Sequence, residues 1–183
     1  MTRWLTILPL IVLAALAVLF ATYGLHHSPQ IQPRALVGKP VPDLALPSLE
    51  TGTPVRLREL AAHGPVVINF FASWCAPCEL EAPALTALSA QHVRIIGVAY
   101  KDAPEKTQAF LARLGDPYAA RLVDREGRAG IEFGLTGVPE TYLVGQSGVI
   151  LDKHTGPLEA GDVATLAAQA SSSGRPGTAL TSR

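Results

Sequence analysis

Polar and apolar positions are spread unevenly along this chain. No charged side chain occurs between Arg3 and Arg34, and Trp4 to Leu25 forms an uncharged stretch of 22 residues. About 20 apolar residues let a helix cross a hydrocarbon core. Trp4 and Tyr23 stand near the two ends, where amphipathic rings favour the interface, and Pro9 is tolerated better in a membrane helix than in a soluble one. Arg3 and the terminal amine hold the short leading end in the cytoplasm and send the rest across. A cleaved export signal is the competing reading. Ala15-Leu16-Ala17 offers a small-x-small site, but Val18-Leu19-Phe20 continues the apolar run past it. Either way the downstream chain is exported. We therefore expect residues 1–25 to be a transmembrane anchor and residues 26–37, polar with two prolines, a linker. Residues 171–183 carry few side chains able to bury surface and are expected to be a disordered tail.

Strand and helix patterns alternate over residues 38–170. Val66–Ala72 is a β-branched and aromatic run suited to a buried central strand. Leu80–Ala90 places Leu85 and Leu88 at helical spacing, and Val93–Ala99 is a second buried strand. Glu105–Leu114 predicts a helix with Phe110, Leu111 and Leu114 on one face. Arg121–Asp124 predicts a short strand and Gly127–Phe133 a short helix. Val138–Val144 and Val149–His154 flank Gly145-Gln146-Ser147-Gly148 as a hairpin, and Leu158–Ala170 closes the domain as a helix. This order describes an α/β domain whose mixed central sheet is flanked by helices on both faces.

Composition narrows the chemistry. The chain has 183 residues, with 15 Lys and Arg against 15 Asp and Glu, so no electrostatic footprint for nucleic acid exists. Its 2 cysteines exclude a multi-bridge scaffold and a four-thiolate zinc site. Both lie in Trp74-Cys75-Ala76-Pro77-Cys78, directly after the Val66–Ala72 strand and opening a helix. A thiolate at a helix N-terminus meets unpaired N–H groups and the positive end of the macrodipole, which lowers its pKa. Cys75 is thus expected to be the exposed nucleophile, with Cys78 set back to resolve a mixed disulfide. Pro77 fits the first turn, where its missing N–H costs little. A stabilising disulfide gains most from closing a long loop, and this one closes almost none. Haem attachment would need His after Cys78, where Glu79 stands, and His63, His92 and His154 have no metal-ligand spacing. No cofactor beyond a Cys75–Cys78 redox disulfide is expected.

The strand–WCxPC–helix arrangement resembles the thioredoxin fold, with Pro83 matching that family's helix proline and Gly137-Val138-Pro139-Glu140-Thr141 its cis-proline loop. Tyr100-Lys101-Asp102 and Leu114-Gly115-Asp116-Pro117-Tyr118, taken with that loop, resemble the DsbE/CcmG group. The group's members are membrane-anchored, periplasm-facing thiol:disulfide proteins of cytochrome c biogenesis. TlpA/ResA-like proteins share the Trp74–Pro83 pattern. The resemblance implies that Pro139 is cis, laying Val138 beside Cys75 with its N–H and C=O offered to a substrate peptide. Trp74 is expected to shield the site and touch partners. Asn69 stands where thioredoxins keep a buried aspartate. Glu81 matches the group's acid and is expected to adjust the proton balance at Cys78, assisted by Glu140. Glu79 reads as a solvated first-turn acid. Acidity around the motif opposes thiolate formation and leans towards a reductant.

With the apolar N-terminal stretch, the resemblance implies an inner-membrane, single-pass thiol:disulfide oxidoreductase with its catalytic domain in the periplasm. It also implies that the substrate is the disulfide of apocytochrome c or another periplasmic protein, and that a DsbD/CcdA-type membrane donor re-reduces the pair. The alternatives are a general TlpA/ResA-like reductase, an oxidant, a thiol peroxidase, or a non-redox module that holds apocytochrome or haem.

Overall fold

The computed structural model describes residues 8–9, 11–19 and 36–174. Residues 8–9 and 11–19 are helical, and no helix among the described residues is long and apolar enough to cross a membrane. The ends of the expected anchor, most of the expected linker and residues 175–183 lie outside the described residues.

The domain is built on a five-stranded sheet of order β5-β4-β3-β6-β7. Its strands are β3 (Val66–Phe71), β4 (Ile95–Tyr100), β5 (Ala120–Asp124), β6 (Glu140–Val144) and β7 (Ile150–Thr155). The first three run parallel, whereas β6 is antiparallel to both β3 and β7. Every residue of β3 is buried, which accounts for its apolar character at every position but Asn69. Five helices complete the domain: α1 (Leu57–Ala61), α2 (Ala76–Ala90), α3 (Pro104–Leu114), α4 (Arg128–Glu132) and α5 (Ala160–Ser173).

Successive strand residues point to opposite faces, and the core divides accordingly. One face joins Val67 and Phe71 of β3 to Leu85 and Leu88 of α2, Phe110 of α3 and Leu166 of α5. Both cysteines belong to it. The other gathers Ile68 and Phe70 with Leu57 of α1, Ala129 of α4, Phe133 and Tyr142. There the Phe70, Phe133 and Tyr142 rings pack with centroids 4.9 to 5.8 Å apart.

Two features depart from the sequence reading. A hairpin of β1 (Ala45–Pro47) and β2 (Pro54–Arg56) precedes α1, and Ser48 bridges to Leu122, so this segment covers the β5 edge. Its three-residue strands carry prolines at their ends and show no alternation to read. Helix α5 continues to Ser173, past the expected boundary at 170. The hydroxyls of Ser171, Ser172 and Ser173 bond back to the carbonyls of Ala167, Gln169 and Ala170, so the serine run caps its own last turn.

Candidate active site

Strand β3 ends at Phe71, and four residues later the chain enters α2 with Cys75 as its N-cap. Cys75 has extended backbone, and its Sγ accepts the Cys78 N–H at 3.2 Å, taking the place of a capping hydroxyl. Pro77 lies in the first turn, and Pro83 lies inside the helix, which runs on to Ala90. Cys75 and Cys78 form a disulfide with Cα atoms 5.3 Å apart. Their exposures are 4% and 2%, so the expected contrast between an exposed Cys75 and a sheltered Cys78 is absent in the oxidised form. The loop before β6 lies against the Cys75 sulfur.

That loop contains a cis Val138–Pro139 bond. The Val138 carbonyl oxygen is 3.4 Å from Cys75 Sγ, where the thiol of the reduced form can donate to it. Val138 C=O is therefore turned towards Cys75 rather than outwards. Trp74 is 59% exposed beside the disulfide, and its Nε1–H donates to Lys101 O at 3.2 Å. Leu80, which the sequence reading passed over, is exposed one turn into α2.

Asp102 is a second residue the sequence reading left without a role. It is buried and accepts from Ser73 N–H (2.6 Å), Ser73 Oγ (2.8 Å), Ala103 N–H (2.9 Å) and Thr107 Oγ1 (3.1 Å). It thereby ties the loop before the cysteines to the start of α3. Four donors on one carboxylate make a rigid anchor.

Glu81 lies one turn after Cys78 and is fully buried. Asn69 Nδ2 donates to its Oε1 at 3.0 Å and Leu158 N–H to its Oε2 at 3.3 Å. Burial raises its pKa to about 7, and these two hydrogen bonds partly oppose the rise. A carboxyl that titrates at neutral pH can exchange protons with a thiol.

Glu140 corrects the expectation. It follows Pro139 in sequence but occupies the same β6 face as Tyr142, opposite the face holding Thr141 and the cysteines. Its carboxylate accepts from Thr136 N–H at 3.1 Å, from the Thr136 hydroxyl and from Tyr142 Oη at 2.8 Å, and it pairs with Lys153 Nζ at 2.8 Å. It braces the loop instead of facing Cys78. Glu79 forms a two-pronged pair with Arg113, which holds its carboxyl below the usual range. Of the three acids expected to crowd the motif, only Glu81 is an unpaired buried carboxyl near Cys78.

Glu140→Ala is accordingly expected to leave the Lys153 ammonium without its ion-pair partner, with only the Gly134 carbonyl at 3.3 Å to accept from it, and to lower stability by about 3 kcal/mol. Urea unfolding would measure this, and the folded variant should keep its rate of thiol exchange. A large loss of exchange rate at full folding would return Glu140 to the chemistry.

Among the described residues, no group of three or more His, Cys, Asp or Glu is placed to hold a metal ion.

Comparison with known proteins bears on the whole domain. The Redoxin family matches residues 36–169. The thiol:disulfide interchange protein DsbE of Allochromatium vinosum is 38% identical over 155 residues, covering 84% of this chain and 85% of that protein. HelX of Rhodobacter capsulatus, also a thiol:disulfide interchange protein, is 39% identical over 160 residues, covering 86% of this chain and 90% of that one. The crystal structure of a DsbE-type protein from Chlorobium tepidum superposes with a TM-score of 0.64 at 25% identity, covering 75% of this chain and 96% of that one.

Proposed function

As the chain belongs to the Redoxin family and to its DsbE/CcmG group of thiol:disulfide oxidoreductases, we propose that it is a membrane-anchored reductase acting in the periplasm on apocytochrome c. The observation that carries this reading is the Cys75–Cys78 disulfide at the start of α2, with a buried carboxyl one turn behind it. In the reduced protein the Cys75 thiolate attacks a substrate disulfide, forming a mixed disulfide and releasing one substrate thiolate. Cys78 then loses its proton to Glu81 and attacks Cys75 Sγ. The second substrate thiol leaves, and the protein is left in its disulfide form. Two electrons have passed to the substrate, and a membrane dithiol donor of the DsbD/CcdA kind restores the reduced pair.

The uncharged stretch Trp4–Leu25 supports an anchor over residues 1–25, with residues 26–37 as the linker to the domain. The exposed Trp74 beside the disulfide, with the Val138–Pro139 loop, supports a surface on which an extended peptide would lie.

The test uses the reduced full-length protein in detergent and an oxidised peptide containing a CxxCH disulfide. The expected result is stoichiometric release of two peptide thiols with formation of the protein disulfide. A reduction potential near that of a strong oxidant, about −120 mV, with no peptide reduction, would overturn the reading.

A further inference from the structure

Tyr118 belongs to the Leu114–Tyr118 segment, to which the chemistry above gives no part. Its ring stacks on Phe71 with centroids 4.9 Å apart and planes 22° from parallel. It also lies flat over Gly97 of β4, where an added Cβ would come within 2.8 Å of the ring carbons. Gly97 is thus the gap that lets the ring reach the sheet. The seating brings Tyr118 Oη to 2.8 Å from Asn69 Oδ1. From the other end of the same amide, Nδ2 donates to Glu81 Oε1 and to Thr141 Oγ1, each at 3.0 Å. Asn69 and Glu81 are both fully buried.

We propose that Tyr118 is a positioning residue for Glu81, acting through Asn69: its hydroxyl fixes the amide so that the NH2 group always faces the carboxylate.

The logic is one of donors and acceptors. An amide oxygen can only accept, so Tyr118 must donate to it. If the amide turned over while Glu81 is ionised, its oxygen would face the carboxylate, acceptor against acceptor. The buried Tyr118 O–H would simultaneously lose its acceptor. Neither loss is made good by solvent at this depth. Thr141 holds the second N–H and completes the lock.

Among the described residues, Tyr118 is the titratable group from another element in electrostatic contact with Glu81, and Cys78 precedes it on α2. Asp116 acts on Tyr118 and is paired with Arg121. The direct partners of Glu81 are thus neutral donors, and the fixed amide, with the Leu158 N–H, favours its ionised form. This inference rests on Glu81 being the group that takes the Cys78 proton.

The experiment follows resolution in the reduced full-length protein in detergent, mixed with 5,5′-dithiobis(2-nitrobenzoate) by stopped flow. The second thionitrobenzoate released reports attack by Cys78, and its rate is measured against pH. Tyr118→Phe should move the Glu81-dependent midpoint upward by roughly one pH unit, with the high-pH plateau retained. Asn69→Leu should give a similar shift, and the double variant no further one, since both act on one contact. A Tyr118→Phe or Asn69→Leu midpoint equal to wild type, with Glu81→Gln abolishing the inflection, would overturn the proposal and leave the role of Glu81 standing. An inflection that survives Glu81→Gln would remove that role and the proposal with it.

Discussion

Replacing Cys78 with Ala should turn the protein from a turnover enzyme into a trap. The Cys75 thiolate remains able to attack a substrate disulfide, but the thiol that would displace the substrate is gone, so the mixed disulfide accumulates. Multiple turnover is expected to fall by several orders of magnitude, since resolution has no internal alternative: the chain has only 2 cysteines. Cys75→Ala should trap nothing. Non-reducing electrophoresis of full-length Cys78→Ala, followed by mass spectrometry of the adducts, reads both results. The fold should survive. The disulfide spans a sequence separation of 3, for which chain-entropy arguments give a stabilisation of only about 2 kcal/mol. Two extensive apolar clusters remain on either side of the sheet. Adducts dominated by proteins with CxxCH motifs would identify apocytochromes as substrates. A spread over unrelated periplasmic proteins would favour the general reductase, and a Cys78→Ala variant that stays reactive yet captures nothing would count against dithiol exchange with proteins.

The redox pair was legible because its chemistry is local. A strand, two cysteines and a helix start are contiguous in sequence, and their order alone sets the cap geometry at Cys75. The central strand was legible for a related reason: burial on both faces makes β3 apolar at nearly every position. Asn69 is the exception, and its polarity marks the network beneath the site. What could not be read was which side of the sheet a residue faces once pairing is non-local. Glu140 sits next to the loop proline, yet β6 begins there and the strand period of two turns its side chain away while Thr141 faces Asn69. Likewise nothing near Tyr118 in sequence points to Asn69, which is 49 residues away. The position of Gly97, opposite a tyrosine, becomes meaningful only when β4 is laid beside β3. Sequence proximity overstated the acidity of the motif for the same reason. Arg113, on a different helix, already neutralises Glu79.

Glu81→Gln should produce a protein that is slower but, above neutral pH, relatively more stable. The sign follows from the raised pKa. Below the ordinary value of 4.5 the carboxyl is protonated in both folded and unfolded chains, and it contributes nothing to pH dependence. Between there and about 7 the unfolded chain has released its proton while the folded one retains it, so wild-type stability falls as pH rises. At pH 8 the carboxylate is ionised inside the core, and the accumulated loss is on the order of 3 kcal/mol. Gln has no proton to lose. Its amide fits Leu158 N–H less well, which adds a constant offset at every pH. The informative quantity is therefore the change in the wild-type-minus-variant difference between pH 5 and pH 8 for the oxidised protein, read from urea unfolding. That difference should move in favour of the variant by about 2–3 kcal/mol. Over the same range, the rate of Cys78 attack in the reduced variant should lose its inflection near neutral pH and fall about a hundredfold at pH 8, as expected when a general base is removed. A stability difference that is flat with pH would show that Glu81 is not held protonated by burial. An unchanged rate profile would separate the carboxyl from the thiol it stands behind. Both changes appearing together would mean that the fold carries a strained acid where the second thiol needs a base.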